Sequence, residues 1–365
     1  MLRRHRVDRR APARYGGRMA YRLSRGESMH QAAVRIADEE LSEAIERLRS
    51  SGGSQQVDTH TRVHAARKAI KRTRALARLL REGLGAGFHR DNLDLRDAAR
   101  RLAERRDAAV AADAFTRLVP EPAGPLAAIR ERLAAVRDEV VAADAALAAA
   151  AEDLARVRSR SADWPPLDRG WSILEPGLKT SYKQGRQAMR TAFADPTPAA
   201  FHAWRKRVKD LWYHTQLLHN VWKGVQSAWA EALEDLSDAL GDDHDLEVLR
   251  AALATHPDLD PDARRDVLAR ADARSAELRA AAWTLGQRLY AERPRRYVAR
   301  IHRYWETWRD HERRTTAAAR PTAPDPGGPP STAALQADPE FICPGDYVSS
   351  DMPCRPAKDA PTTGM

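Results

Sequence analysis

Val63-His64-Ala65-Ala66-Arg67-Lys68-Ala69-Ile70-Lys71 returns 138 residues later as Phe201-His202-Ala203-Trp204-Arg205-Lys206-Arg207-Val208-Lys209. The shared pattern is His-x-x-Arg-Lys-x-x-Lys. The same offset continues without a gap: Leu95 meets Leu233, Asp97 meets Asp235, Leu102 meets Leu240, Asp107 meets Asp245 and Val110 meets Val248. One short motif can recur by chance. A register that keeps apolar and charged positions aligned over so long a span reads as a duplicated helical unit.

On a helix, His64, Arg67, Lys68, Lys71, Arg74 and Arg78 line one face, and Val63, Ala66, Ile70, Ala77 and Leu80 lie towards the other. At about 1.5 Å per residue the basic stripe is roughly 21 Å long. His202, Arg205, Lys206 and Lys209 repeat it, with Trp212 and Gln216 in place of Arg74 and Arg78, so the second stripe is shorter. A solvated helix face normally mixes signs, because opposite charges a turn apart stabilise and like charges cost. From Thr59 to Arg81 there is no acid, against eight Lys or Arg and two His. Such repulsion, present twice, is best explained by an anion that relieves it. Arg offers a forked donor to phosphate oxygens, Lys a mobile charge, and His a donor that gains charge beside an anion.

Around this repeat the composition is that of a helical protein: Ala, Leu and Arg dominate, and only 6% of the 365 residues are aromatic. The formal net charge is +10, but residues 1–28 alone carry nine Arg against Asp8 and Glu27, which leaves +3 for the other 337. Any basic patch in the body is therefore a local segregation of charge. Residues 1–28 read as a disordered basic arm, with Met19 and Met29 as later candidate starts. Residues 29–314 read as the helical domain, in halves 29–160 and 171–314, and 315–365 as a disordered tail rich in Pro and Ala. Amphipathic stretches fall at roughly 57–82, 89–119, 124–158, 171–193, 198–222, 226–255, 261–287 and 294–314, with a break at Trp164 to Pro166.

Two cysteines, Cys343 and Cys354, both in the tail, make no disulfide framework and no zinc spacing. No apolar run suits a membrane span or a signal peptide, so a cytoplasmic protein without metal or cofactor is expected. Tyr182, Lys183, Arg186 and Arg190 form a further acid-free helical run that could join the site. Trp283, Tyr290, Tyr297 and Tyr304 recur every seven residues and read as core. Asp107 and Asp245 are each expected to orient a basic side chain of a stripe, with a helix cap as the plainer alternative.

These residues resemble the CHAD family, the conserved-histidine alpha-helical domain. The resemblance covers about residues 19–312. It rests on Met19-Ala20-Tyr21-Arg22-Leu23, both basic stripes, Arg106-Asp107-x-x-Val110, Tyr182-Lys183-x-x-Arg186, and Leu285-Gly286-x-x-Leu289-Tyr290 before Pro294. It implies an all-α fold of two pseudo-symmetric four-helix bundles around a central basic channel. It also implies non-catalytic binding of inorganic polyphosphate, with association with polyphosphate granules. One departure is His244, which stands where the first copy has Arg106. The triphosphate tunnel signature Glu-x-Glu-x-Lys, fused to some members, does not occur.

Two other functions are open on the residues alone. His244-Asp245, beside Asp242 and Asp243, is similar to the dyad of metal-dependent phosphohydrolases, but the offset position holds Arg106, which cannot ligate a metal. A nucleic-acid binder would use the same phosphate chemistry, and Trp204, Trp212 and Tyr213 beside the second stripe could serve single strands.

Overall fold

A computed structural model describes residues 21–50, 59–102, 106–139, 144–167 and 170–318, and these are all helix, turn or irregular chain, with no strand among them. The helices in order are α1 (Met29–Arg49), α2 (Thr59–Leu79), α3 (Arg81–Leu84), α4 (Ala86–Arg101), α5 (Arg106–Leu118), α6 (Pro125–Glu139), α7 (Asp144–Ala162), α8 (Trp171–Ala194), α9 (Pro198–Leu217), α10 (Lys223–Ala254), α11 (Pro261–Leu289) and α12 (Pro294–Ala318).

Local chemistry accounts for several starts. Ser28 and Gln31 form a reciprocal capping box on α1. Thr197 accepts from Ala200 N before α9, and Asp260 from Ala263 N before α11, each followed by a proline in the first turn, where a missing N–H costs nothing. The offset of 138 residues carries α2 onto α9, and it carries α4 and α5 together onto the single helix α10.

α1, α2, α4 and α7 pack on one another around Leu41, Ile45, Ile70, Leu95 and Leu154. α8, α9, α10 and α11 pack in sequence, with α12 laid on α8. A larger core joins the halves. The N-terminal part of α1 and the C-terminal part of α2 share it with α8, α9, α10 and α12 through Ile36, Leu76, Leu80, Leu178, Trp204 and Tyr297. At Gly177, α8 comes so close to α2 that any side chain would run into the backbone of Leu79.

The α5–α6 hairpin does not close on the first four helices. It packs on α10 and α11, where Phe115, Val119 and Ile129 meet Leu249, Leu253 and Val267. Length explains this. α10 has 32 residues, about 48 Å, and α9 has 20, about 30 Å, so the overhang of α10 needs another cover.

The structure corrects four expected boundaries. Residues 21–28 are not a disordered arm: Tyr21 and Leu23 are buried, the Tyr21 hydroxyl donates to the Arg72 carbonyl at 3.0 Å, and Leu23 N donates to the Leu217 carbonyl at 3.0 Å. The segment is irregular chain held by two side chains, so helical periodicity cannot register it. The stretch 89–119 is two helices, and so is 124–158. α12 continues to Ala318 rather than stopping at 314. Residues 1–20, the tail from 319 onward and both cysteines lie outside the described residues.

Candidate functional site

α2 and α9 pack against each other, so the structure brings the two stripes to one region. On α2, His64, Lys68 and Lys71 are exposed, and Arg67, Arg74 and Arg78 half-buried; Ala66, Ile70, Ala77 and Leu80 are buried on the other side. On α9, Lys206 is exposed, and His202, Arg205 and Lys209 half-buried. All ten residues are thus exposed at least in part, although His202 Nδ1 and Arg205 Nε are themselves buried.

The packed helices place their charges within reach of one another. Lys209 has a lowered pKa, chiefly because burial penalises its charge; Arg205 and Lys68 push the same way, and Asp238 and Glu234 oppose them. Lys209 Nζ lies 4.3 Å from the ring centre of Trp212. Lys68 is also lowered, first by the water its neighbours exclude and then by Arg72, against Glu40, Glu43 and Glu234. Burial pulls Arg74 down to about 10, with Arg78 and Arg96 adding to it. Burial and neighbouring cations disfavour these charged forms, and an anion brought beside them would favour them.

Carboxylates from other helices answer part of that demand. Asp210 of α9 takes Arg78 Nη1 at 2.6 Å and Arg207 at 3.4 Å. Arg72 pairs with Glu40 of α1 at 2.9 Å, and burial pushes the Glu40 carboxyl up to about 7 in spite of that arginine. The absence of acid along 59–81 is therefore a property of one helix and not of its surroundings. Repulsion within the stripe is eased by Asp210 and Glu40 before any ligand arrives.

The paired arginines sit differently. Arg67 Nη1 donates to the Leu102 carbonyl at 2.9 Å, at the end of α4. Arg205 lies over Gly241 in the middle of α10, where a Cβ would stand 3.1 Å from its guanidinium. The His202 and His244 rings approach to 4.3 Å between centroids.

Tyr182 is a correction. It is fully buried, its hydroxyl donates to the Leu289 carbonyl at 3.0 Å, and its ring stacks on Tyr297 at 4.2 Å, so it cannot meet a ligand in solvent. Burial pushes its pKa up to about 12. Its place was readable in the spacing Leu174, Leu178, Tyr182, Gly185 and Met189, the apolar face of α8. Lys183 is exposed and Arg186 half-buried; among the described residues no hydrogen bond or ion pair joins either to a stripe. Trp283, Tyr290, Tyr297 and Tyr304 pack in or against the core as expected. Gly286 lets α11 approach Trp204, whose ring would lie 2.8 Å from a Cβ there.

Asp107 and Asp245 occupy unlike settings. Asp107 is exposed in the first turn of α5, where a carboxylate suits the helix dipole. Asp245 lies within α10, which runs through Gly241 without a break, and receives Arg117 of α5 at 3.1 Å. The carboxylates beside His244 are engaged by arginines: Asp243 by Arg279 at 3.0 Å and Asp242 by Arg117 at 4.0 Å. Trp204, Trp212 and Tyr213 are buried and offer no platform for bases.

The model of the CHAD domain family matches residues 39–254, more than half of the chain. The crystal structure of the CHAD domain from the plant Ricinus communis superposes with a TM-score of 0.50 at 18% sequence identity, covering 73% of this chain and 95% of that one, which shows a shared fold. No curated protein sequence matches the chain. Among the described residues no helix is long and apolar enough to cross a membrane.

Proposed function

The chain belongs to the CHAD domain family, and from that premise we propose that it binds inorganic polyphosphate, without cleaving it, along the joined basic faces of α2 and α9. The observation that carries the reading is the meeting of the stripes: α2 and α9 pack on each other, and the charge of Lys68 on one acts on Lys209 of the other. Pairs of phosphate-binding groups on two rigid helices would hold a linear polyanion at several points with little ordering cost. His202 and His244, with ring centres 4.3 Å apart, add two imidazoles at the second stripe. Phosphohydrolase chemistry is not favoured, since the carboxylates around His244 already serve arginines. Nucleic-acid binding is not favoured either, because the aromatic residues it would use are buried. In the cell the protein would then work in the cytoplasm at polyphosphate granules, with no cofactor.

The test is titration of the full-length protein with long-chain polyphosphate at several salt concentrations, with the chain length of the polymer followed on a gel. Binding should weaken steeply with salt, as counterions are released from a highly charged polymer, and the polymer should keep its length. DNA of equal charge should compete poorly. Shortening of the polymer, or equal competition by DNA, would overturn the reading.

A further inference from the structure

The two sides of the basic face differ in their neighbours. The offset that aligns the stripes sets Arg96 of α4 against Glu234 of α10, and Arg100 against Asp238, while Asp97 and Asp235 agree. α4 turns this segment towards the α2 stripe: Asn92 accepts Arg74 Nε at 3.2 Å, and the charge of Arg96 lowers the pKa of Arg74. Arg96 and Arg100 share one carboxylate, Asp97, at 3.4 Å from each, and their side chains are 49% and 64% exposed. On the other side Glu234 and Asp238 both act on Lys209, and Glu234 also reaches Lys68.

We infer that polyphosphate is held mainly on the first-half side of the face, by Arg96 and Arg100 of α4 together with the α2 stripe. Glu234 and Asp238 limit what the α9 stripe contributes. The inference rests on the polyphosphate reading above and assigns the site a strong and a weak side. Two exposed guanidiniums that share a single distant carboxylate gain from phosphate oxygens, and their own ion pairs, being long and solvated, give up little. A phosphate beside Lys209 meets Glu234 and Asp238 as well as the cations Lys209, Arg205 and Lys68, so repulsion offsets part of the attraction there.

The experiment exchanges the charges in the full-length protein. Arg96→Glu with Arg100→Asp places the second-half residues in the first half; Glu234→Arg with Asp238→Arg does the reverse. Each is titrated with long-chain polyphosphate over a range of salt beside the wild type. The first exchange should lose affinity by about tenfold or more and flatten the logarithmic salt dependence by roughly one for each phosphate the protein no longer holds; the second should gain affinity several-fold. The milder pair Arg96→Gln and Arg100→Gln should fall between wild type and the first exchange, and guards against a folding defect. Wild-type binding with all three variants within about twofold would overturn this inference and leave the polyphosphate reading standing. Absence of wild-type binding would overturn that reading, and this inference with it.

Discussion

α2 and α9 carry the same basic pattern over different cores: α2 buries only aliphatic residues and Thr73 beneath it, whereas α9 buries Phe201, Trp204, Trp212 and Tyr213. At the position of Ala66 in α2 stands Trp204 in α9, and both are fully buried. Lys71 is exposed, whereas its counterpart Lys209 is half-buried against Trp212. Arg67 caps the end of α4; Arg205 lies over Gly241 of a helix that continues. Glu40 sits behind the first stripe, and the offset position in α8 is the buried Leu178. The difference teaches that a repeated motif can keep its charges while the packing beneath it diverges. Where one stripe rests on Ala66, Ile70 and Ala77 with Glu40 and Asp210 beside it, the other rests on Trp204 and faces Glu234 and Asp238.

The largest effect should come from the core beneath the stripes. Trp204→Ala should cost about 3–5 kcal/mol of stability, since it empties the space between α9 and Gly286 of α11. Ala66→Gly at the matching position should cost only about 1–2 kcal/mol, mostly through helix propensity. Chemical denaturation measures both, and equal losses would break the contrast in packing.

A smaller effect concerns pH. The Glu40 carboxyl lies at about 7 in the folded protein against an ordinary 4.5, so the folded state binds its proton more tightly than the unfolded state. Its contribution is present at low pH and is lost as pH rises through about 7. Between about pH 5 and pH 8 the wild type should therefore lose on the order of 2 kcal/mol that Glu40→Gln does not lose. Denaturation at several pH values reads this difference, and parallel slopes would mean that no titrating group lies behind the first stripe.

The helical class and the solvent-facing cations could be read from periodicity and the repeat, because each is a property of one helix at a time; the meeting of α2 with α9 was implied only by the family resemblance. What could not be read are relations between helices. Asp210 meeting Arg78, or Glu234 and Asp238 facing Lys209, depends on which surfaces come together. The end of α4 at Arg101 was hidden because Ala98-Ala99-Arg100-Arg101-Leu102 and the residues after it are good helix formers with no Gly or Pro. Tyr182 was misplaced because its basic neighbours drew attention from the apolar face it shares with Leu178 and Met189. Tyr21 and Leu23 carry no helical period, and it is their burial and their hydrogen bonds to Arg72 and Leu217 that tie them to the fold.

The central claim is that paired stripes on α2 and α9, and not positive charge in general, bind the polyanion. The measurement that tests it most directly is polyphosphate affinity at one fixed salt concentration for three full-length proteins. These are the wild type, Arg67→Ala with Arg205→Ala, and Arg9→Ala with Arg10→Ala in the N-terminal segment. The stripe variant should lose about tenfold or more in affinity with a melting temperature within a few degrees of wild type, and the N-terminal variant should stay within about twofold. Equal losses in the two variants would contradict the account and make the protein a non-specific polycation.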